Sequence, residues 1–132
     1  MNVAYNDFPY NAVKLLPGIF SRKVEANRRY ILSLNTENLL RNYYLEAGLW
    51  SASYKPEDIH WGWESPTSQL RGHFLGHWLS AAARLYAATG DPEVKGKADK
   101  IVSELARCQK ENGGEWAGSI PEKYLEWIAK GK

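Results

Sequence analysis

The sequence predicts an all-α fold of one domain, and two observations support the helical class. Apolar residues recur at helical spacing along most of the chain, and helix start and stop signals bound those stretches. The 132 residues suit one domain, and 44% hydrophobic with 24% charged residues is ordinary for a globular protein. The one cysteine, Cys108, cannot form an intrachain disulfide, which is weak support for a reducing compartment.

The first predicted helix follows a segment of turn formers. Residues 1–20 contain the Pro17-Gly18 pair, and Val13-Lys14-Leu15 is a candidate short strand with no evident partner. Ser21 can serve as N-cap of a helix that ends near Ser33.

The second predicted helix is shorter and leads into a long loop. Asn35 or Thr36 is its N-cap, and Gly48 follows its last residue, Ala47. Residues 49–67 then form a loop with proline and glycine, and a loop this long in a compact domain usually has a function.

The third predicted helix is apolar on nearly every side, which indicates a buried helix. Its N-cap is Ser65 or Ser68, and it ends at Gly90. A polar row interrupts the apolar surface within a sector of roughly 80°. Its members are Gln69, His73, His77, Ser80 and Arg84. Because unpaired polar groups are costly to bury, we expect this row to face an internal hollow.

The fourth predicted helix is amphipathic and faces solvent. Asp91 is its N-cap, Pro92 its first residue, and Gly113-Gly114 its end. The short turn before it makes an αα-hairpin with an inner and an outer helix. A fifth helix begins near Pro121. Closing a ring of such hairpins takes about a dozen helices, so we expect the N-terminal part of a ring.

The charge and hydropathy patterns argue against several classes of partner. The net charge is +2 and scattered, which predicts no nucleic-acid binding. The sequence has no run of eighteen apolar residues, so no membrane-spanning helix is predicted. The N-terminus resembles no signal peptide, so a cytoplasmic location is favoured, although the compartment stays open.

Two motifs concentrate the side chains suited to sugar binding, Trp61-Gly62-Trp63-Glu64 and the run from Leu70 to Trp78. They hold three of the six tryptophans and two of the three histidines within eighteen positions. Indole stacks on the C–H faces of a sugar, and polar side chains bind its hydroxyls. The predicted substrate-binding residues are Trp61, Trp63, Glu64, Arg71, His73 and His77.

The two histidines at i and i+4 allow three interpretations. They line a sugar pocket, make structural hydrogen bonds, or bind a metal. Zinc proteases place Glu directly after the first His, where this chain has Phe74, and no third ligand is evident.

The WGWE motif also allows more than one interpretation. Glu64 either orients a sugar hydroxyl or pairs with Arg71. Trp61 and Trp63, on one side of an extended segment, form a stacking platform or close the end of the inner helices. The carboxylates of Glu57, Asp58 and Glu122 are only weak candidates for a second catalytic acid. Gly72 and Gly76 in a helix predict close packing by a neighbouring helix.

The run Leu70-Arg71-Gly72-His73-Phe74-Leu75-Gly76-His77-Trp78-Leu79-Ser80-Ala81, together with the WGWE motif, resembles the β-L-arabinofuranosidases of glycoside hydrolase families 127 and 146. These were once catalogued as a bacterial domain of unknown function. The similarity extends from Val13-Lys14-Leu15 to Gly118-Ser119-Ile120-Pro121-Glu122-Lys123. It implies an (α/α)6 barrel, of which residues 1–132 are the N-terminal part, and retaining exo-hydrolysis of arabinofuranose-containing glycans.

The resemblance also implies chemistry that this chain does not supply. Family members use a cysteine nucleophile near a zinc ion, held by other cysteines and a glutamate, and a separate acid/base glutamate. Cys108 matches a helix position instead. We therefore expect no catalytic residue, metal ligand or cofactor here, no glycosidase activity if the chain stands alone, and self-association of an incomplete barrel. The alternative is a non-catalytic helical module that binds carbohydrate or protein.

Overall fold

The computed structural model describes residues 7–49 and 60–131, and within them it has five α-helices and no β-strand, which confirms the all-α prediction. The helices are α1 (Ile19–Ser33), α2 (Thr36–Glu46), α3 (His73–Thr89), α4 (Pro92–Glu111) and α5 (Lys123–Ala129). Short 3₁₀ turns cover Tyr10–Ala12 and Gly62–Glu64. The candidate strand at 13–15 is wrong, because these residues belong to no ladder.

Helix α1 begins earlier than predicted, and its cap differs. Gly18 is the N-cap, and the Ser21 hydroxyl accepts from the Gly18 N–H at 2.9 Å and donates to its carbonyl at 3.0 Å. Ser21 is thus the third helical residue of a capping box and not the cap itself. Helix α2 starts as predicted, with the Asn35 side chain accepting from the Asn38 N–H at 3.0 Å.

The core lies where α3 and α2 pack on α4, with α1 alongside. It consists of Ile31, Leu39, Leu40, Leu75, Trp78, Ala82, Leu85, Val94 and Ile101. The buried indole of Trp78 donates to the Ile31 carbonyl at 3.1 Å, at the end of α1. Lys97 on α4 reaches the same helix end, donating to the Leu32 carbonyl at 2.9 Å. The carbonyls at this helix C-terminus, which lack donors within the helix, thereby gain hydrogen-bond partners.

Helix α3 is shorter and less buried than predicted. Neither Ser65 nor Ser68 is its N-cap, because residues 69–72 form turns and Gly72 takes a left-handed φ of 82° as the cap. Only the Leu75, Trp78, Ala82 and Leu85 side of the helix is buried. The helix is therefore amphipathic in this chain, and the prediction of burial on every side is wrong.

The hairpin of α3 and α4 agrees with the prediction. Asp91 accepts from the Glu93 and Val94 N–H groups at 2.9 and 3.3 Å, and Pro92 follows it. Val94, Ile101 and Cys108 are the buried residues of α4, at spacings of seven, and charged residues cover its other sides. Within the described ranges, no helix is long and apolar enough to cross a bilayer.

Candidate functional site

The Glu64 carboxylate lies at the N-terminus of α3 and caps it from eight residues upstream. Its oxygens accept from the Gly72 N–H at 2.8 Å and the Phe74 N–H at 3.0 Å. The first N–H groups of a helix have no partner within the helix, and a carboxylate there also meets the favourable end of the helix dipole. This contact joins the WGWE motif to the start of the histidine-bearing helix.

Beside this cap, Trp63, His73 and His77 form an exposed row of rings, which we call the aromatic–histidine cluster. The Trp63 and His73 ring centroids are 5.7 Å apart, and those of His73 and His77 are 5.4 Å apart. The His73 Nδ1 lies 3.2 Å from a Glu64 oxygen. Four of the six predicted site residues therefore meet at one place.

The polar row on α3 faces solvent in this chain. His73, His77, Ser80 and Arg84 are all exposed, and Gln69 lies before the helix. The common face predicted from helical spacing thus holds for four of the five residues. The exposed Trp63 indole contacts His73, so an aromatic side chain lies next to the polar row.

Arg71 does not pair with Glu64, so that interpretation is wrong. Its guanidinium donates to the Ser119 carbonyl at 2.8 Å, to the Pro66 carbonyl, and to a Glu46 oxygen at 3.3 Å. These partners come from three separate segments, and the Arg71 side chain is only 20% exposed. Arg71 therefore links the segments that contain Glu46, Pro66 and Ser119, and we call these segments the frame of the site. Its guanidinium donors are engaged by protein groups.

Three neighbours on α2 support the WGWE segment and the start of α3, and the sequence analysis missed them. Arg41 donates to the Glu64 carbonyl at 3.0 Å, and the Asn42 amide donates to the same oxygen at 2.9 Å. The Tyr43 hydroxyl donates to the Gly72 carbonyl at 2.8 Å. Arg41 and Asn42 are both buried. The available signal was that these two adjacent polar residues lie between two apolar pairs, Leu39-Leu40 and Tyr43-Tyr44, since polar groups buried among apolar side chains need partners.

The predicted close approach at the two glycines applies to Gly72 alone. A Cβ on Gly72 would overlap the Ser119 side chain and lie 3.2 Å from the Tyr43 ring, whereas one on Gly76 would meet nothing within 4 Å. The Ser119 hydroxyl also donates to the Arg71 carbonyl at 2.7 Å. The segment around Ser119 is therefore docked against the start of α3.

The two tryptophans of the WGWE motif do not lie on an extended segment. Gly62–Glu64 is a 3₁₀ turn, and Gly62 has a φ of 71°, so the predicted shared direction of both indoles loses its geometric basis. Trp61 and Trp63 are 68% and 66% exposed. Trp63 joins the aromatic–histidine cluster, and no ring contact is present for Trp61 among the described residues.

The weaker candidates for a second catalytic carboxylate gain no support from the structure. Glu57 and Asp58 lie outside the described residues. Glu122 is exposed and precedes α5, as that helix's N-cap.

A small pocket adjoins the other side of Glu64. Its volume is about 250 Å³, and Tyr30, Leu34, His60, Glu64 and Phe74 line it. The His60 ring meets Phe74 edge-on at 6.4 Å. Burial lowers the pKa of His60, although the Glu64 charge opposes this effect, so the imidazole is neutral at pH 7. The pocket is thus largely apolar, with a carboxylate at its edge.

The lone thiol is a core residue. Cys108 is 1% exposed on α4, and burial raises its pKa above the ordinary thiol value. Because the thiolate is both the nucleophile and the zinc ligand, a buried thiol with a raised pKa suits neither role. Within the described ranges, no three His, Cys, Asp or Glu side chains are grouped to hold a metal. These residues therefore do not fit a cysteine-rich zinc site.

Comparison with known families gives a match over most of the chain. The profile of the β-L-arabinofuranosidase, GH127 catalytic domain matches residues 12–116. The chain belongs to this family. Comparisons with curated proteins and with solved structures give no match. The GH127 match spans the WGWE motif, the aromatic–histidine cluster and α1 to α4, whereas Ser119 lies just beyond it.

Proposed function

We propose that this GH127 chain forms part of the sugar-binding wall of a β-L-arabinofuranosidase catalytic domain, as the first hairpins of an (α/α)6 barrel. The observation that carries the proposal is the aromatic–histidine cluster, anchored by Glu64 at the start of α3. The family assignment supplies the substrate class, an arabinofuranose-containing glycan.

The cluster offers both kinds of contact that a furanose ring needs. The exposed Trp63 indole presents an apolar face for sugar C–H groups. The His73 imidazole contacts that indole and the His77 imidazole contacts His73. Both rings can accept hydrogen bonds from hydroxyls or donate to them. An exposed polar row on α3 suits a wall that faces a wet cavity rather than a dry helix interface.

The proposal assigns neither zinc binding nor nucleophilic attack to the residues of this chain. The single thiol is buried, and the proposed part of Glu64 is to cap α3 and orient His73. In this proposal the chain positions substrate, and a nucleophile held elsewhere in a GH127 catalytic domain would break the glycosidic bond. Such positioning contributes to catalysis by holding reactants in a productive geometry.

The test is a titration of this chain with methyl β-L-arabinofuranoside, followed by saturation-transfer NMR and tryptophan fluorescence. We expect weak binding, with Kd on the order of millimolar, because one wall buries little of a small ligand. Trp63→Ala should weaken binding about fivefold, the value of one aromatic stack. Trp127→Ala is the matched control, since Trp127 is 46% exposed on α5 and lies outside residues 12–116.

A second measurement separates binding from catalysis. We expect this chain to release no aglycone from an aryl β-L-arabinofuranoside. Equal loss of binding in the Trp63 and Trp127 variants would contradict the wall proposal. Absence of any pentofuranoside binding, with self-association through the cluster face, would favour the interaction-module alternative.

A further inference from the structure

Two oxygens lie beside the His73 Nδ1 and select the tautomer of the neutral ring. The Leu70 carbonyl lies 3.1 Å from Nδ1, and a Glu64 carboxylate oxygen lies 3.2 Å away. A carbonyl and a carboxylate only accept hydrogen bonds, so Nδ1 must be the nitrogen that carries the hydrogen. In the neutral ring, Nε2 then has a free lone pair and acts as an acceptor.

The Glu64 carboxylate is itself held in one orientation. Its Oε2 accepts from the Gly72 N–H at 2.8 Å and faces the Asn42 amide at 3.4 Å. Its Oε1 accepts from the Phe74 N–H at 3.0 Å and faces His73. Backbone N–H groups of a helix cannot turn away, so these contacts fix where Oε1 lies. The acceptor beside His73 is therefore a rigid part of the fold.

We propose that Glu64 is a positioning residue that holds His73 in the Nδ1–H tautomer, so that His73 Nε2 accepts a hydrogen bond from a furanose hydroxyl. The second half of this inference rests on the proposed sugar-binding function. Within residues 7–49 and 60–131, no hydrogen bond engages Nε2, and the His73 side chain is 38% exposed. The Trp63 ring beside it would hold the sugar face while His73 selects one hydroxyl as a donor.

This arrangement gives the wall a specific chemical preference. A hydroxyl can donate to Nε2, but a fluorine or methoxy group at the same sugar carbon cannot. Replacement of that one hydroxyl should weaken binding about fivefold, the value of one neutral hydrogen bond. Replacement of hydroxyls that do not reach His73 should not depend on its tautomer.

The tautomer is measured directly by long-range ¹H–¹⁵N NMR of the chain at a pH where the ring is neutral. We expect the Nδ1–H form for His73, and for His77, which lacks such acceptors in the described residues, the Nε2–H form that predominates in exposed histidine. Glu64→Gln keeps the side-chain size but removes the negative charge beside Nδ1 and leaves the Leu70 carbonyl as the other acceptor, so the share of the Nε2–H form of His73 should rise. Glu46→Gln is the matched control, because the Glu46 carboxylate contacts Arg71 instead.

Circular dichroism of each variant shows whether the helices are retained. If Glu64→Gln does not fold, the wild-type tautomer alone decides the first half of the inference. An Nε2–H form of His73 in the wild type would overturn the inference, and so would an unchanged tautomer in a folded Glu64→Gln variant.

Sugar titrations then separate this inference from the proposed function. Methyl β-L-arabinofuranosides with one hydroxyl replaced by fluorine are compared in wild type and Glu64→Gln. We expect one sugar position at which fluorine in place of the hydroxyl weakens binding to the wild type but has little effect on binding to Glu64→Gln. If the tautomer is as expected and no arabinofuranoside binds, the proposed function fails while the positioning of His73 stands. If arabinofuranosides bind and no fluorinated position depends on Glu64, the acceptor assignment fails alone.

Discussion

The two glycines of the RGHFLGH run should respond in opposite ways to alanine. Gly72 has a φ of 82°, and a Cβ there would overlap the Ser119 side chain. Gly76 lies within the helical span of α3, is exposed to solvent, and has no atom within 4 Å of where its Cβ would be. Both substitutions add one methyl group within four residues of each other. The environment of each glycine therefore decides the sign of the effect.

The expected magnitudes follow from these environments. Left-handed backbone costs a residue with a Cβ about 1–2 kcal/mol. Displacement of Ser119 would weaken its hydrogen bond to the Arg71 carbonyl, which costs about another 1 kcal/mol. Gly72→Ala should therefore lower the free energy of unfolding by about 2–3 kcal/mol, a large part of the usual 5–15 kcal/mol. Gly76→Ala should raise it by up to about 1 kcal/mol, because alanine loses less backbone entropy on folding.

Urea and thermal unfolding, followed by circular dichroism at 222 nm, measure both effects. A domain of this size should change its Tm by roughly 3–5 °C per kcal/mol. The Gly72→Ala/Ser119→Gly variant removes the overlap but keeps the backbone strain, so it should lose less than the sum of the two single variants. Destabilisation by Gly76→Ala would refute the reasoning, because it would show that a neighbour packs there. A neutral Gly72→Ala would refute the docking of Ser119.

Three further predictions concern charge, thiol reactivity and the frame of the site. The Arg28 guanidinium, with help from N-terminal N–H groups of α4, holds the pKa of Asp91 below its ordinary value. A carboxyl with a lowered pKa stabilises the fold above its unfolded-state pKa, and this contribution is lost as pH falls through the folded-state pKa. Asp91→Asn should therefore be less stable than wild type near neutral pH, and the difference should shrink in urea titrations carried into strong acid; a constant difference would contradict the assignment. Cys108 should react with a thiol reagent at neutral pH only after unfolding, and rapid reaction of the native chain would show that its burial is wrong. Arg71→Met should cost about 2–3 kcal/mol in unfolding experiments, because it leaves Glu46 and two carbonyls without their donor; an effect on sugar affinity without loss of stability would instead favour a direct binding role.

Local signals in the sequence predicted much of the fold. The Asp91-Pro92 start of α4, the Asn35 cap of α2 and the glycine at position 90 act through neighbours within a few residues, so their outcome needs no tertiary information. The start of α3 was predicted at the nearest serines, yet the structure places it at Gly72. Its capping oxygen belongs to Glu64, which periodicity and cap rules within one helix do not detect.

The site residues show the same contrast between features set by neighbours in the chain and features set by distant residues. Helical spacing correctly placed His73 and His77 on one face. It did not predict that Arg71 binds Glu46 and the Ser119 carbonyl, because these partners lie 25 and 48 residues from Arg71 in the chain. Asn42 and Tyr43 were missed because their polar atoms act on backbone groups more than twenty residues away.

Residue identity and local pattern were sufficient to predict the helical class, the approximate bounds of α2 and α4, and the motifs by which the chain resembles its family. These depend on backbone propensities, local caps and residue identity, all of which operate over a few positions. Three contacts became visible only in the folded chain. Glu64 caps α3, Arg71 binds Glu46 and the Ser119 carbonyl, and Trp63 contacts His73. Such contacts depend on how packing of the core brings distant segments together, and many pairings satisfy the same local rules until the core is in place.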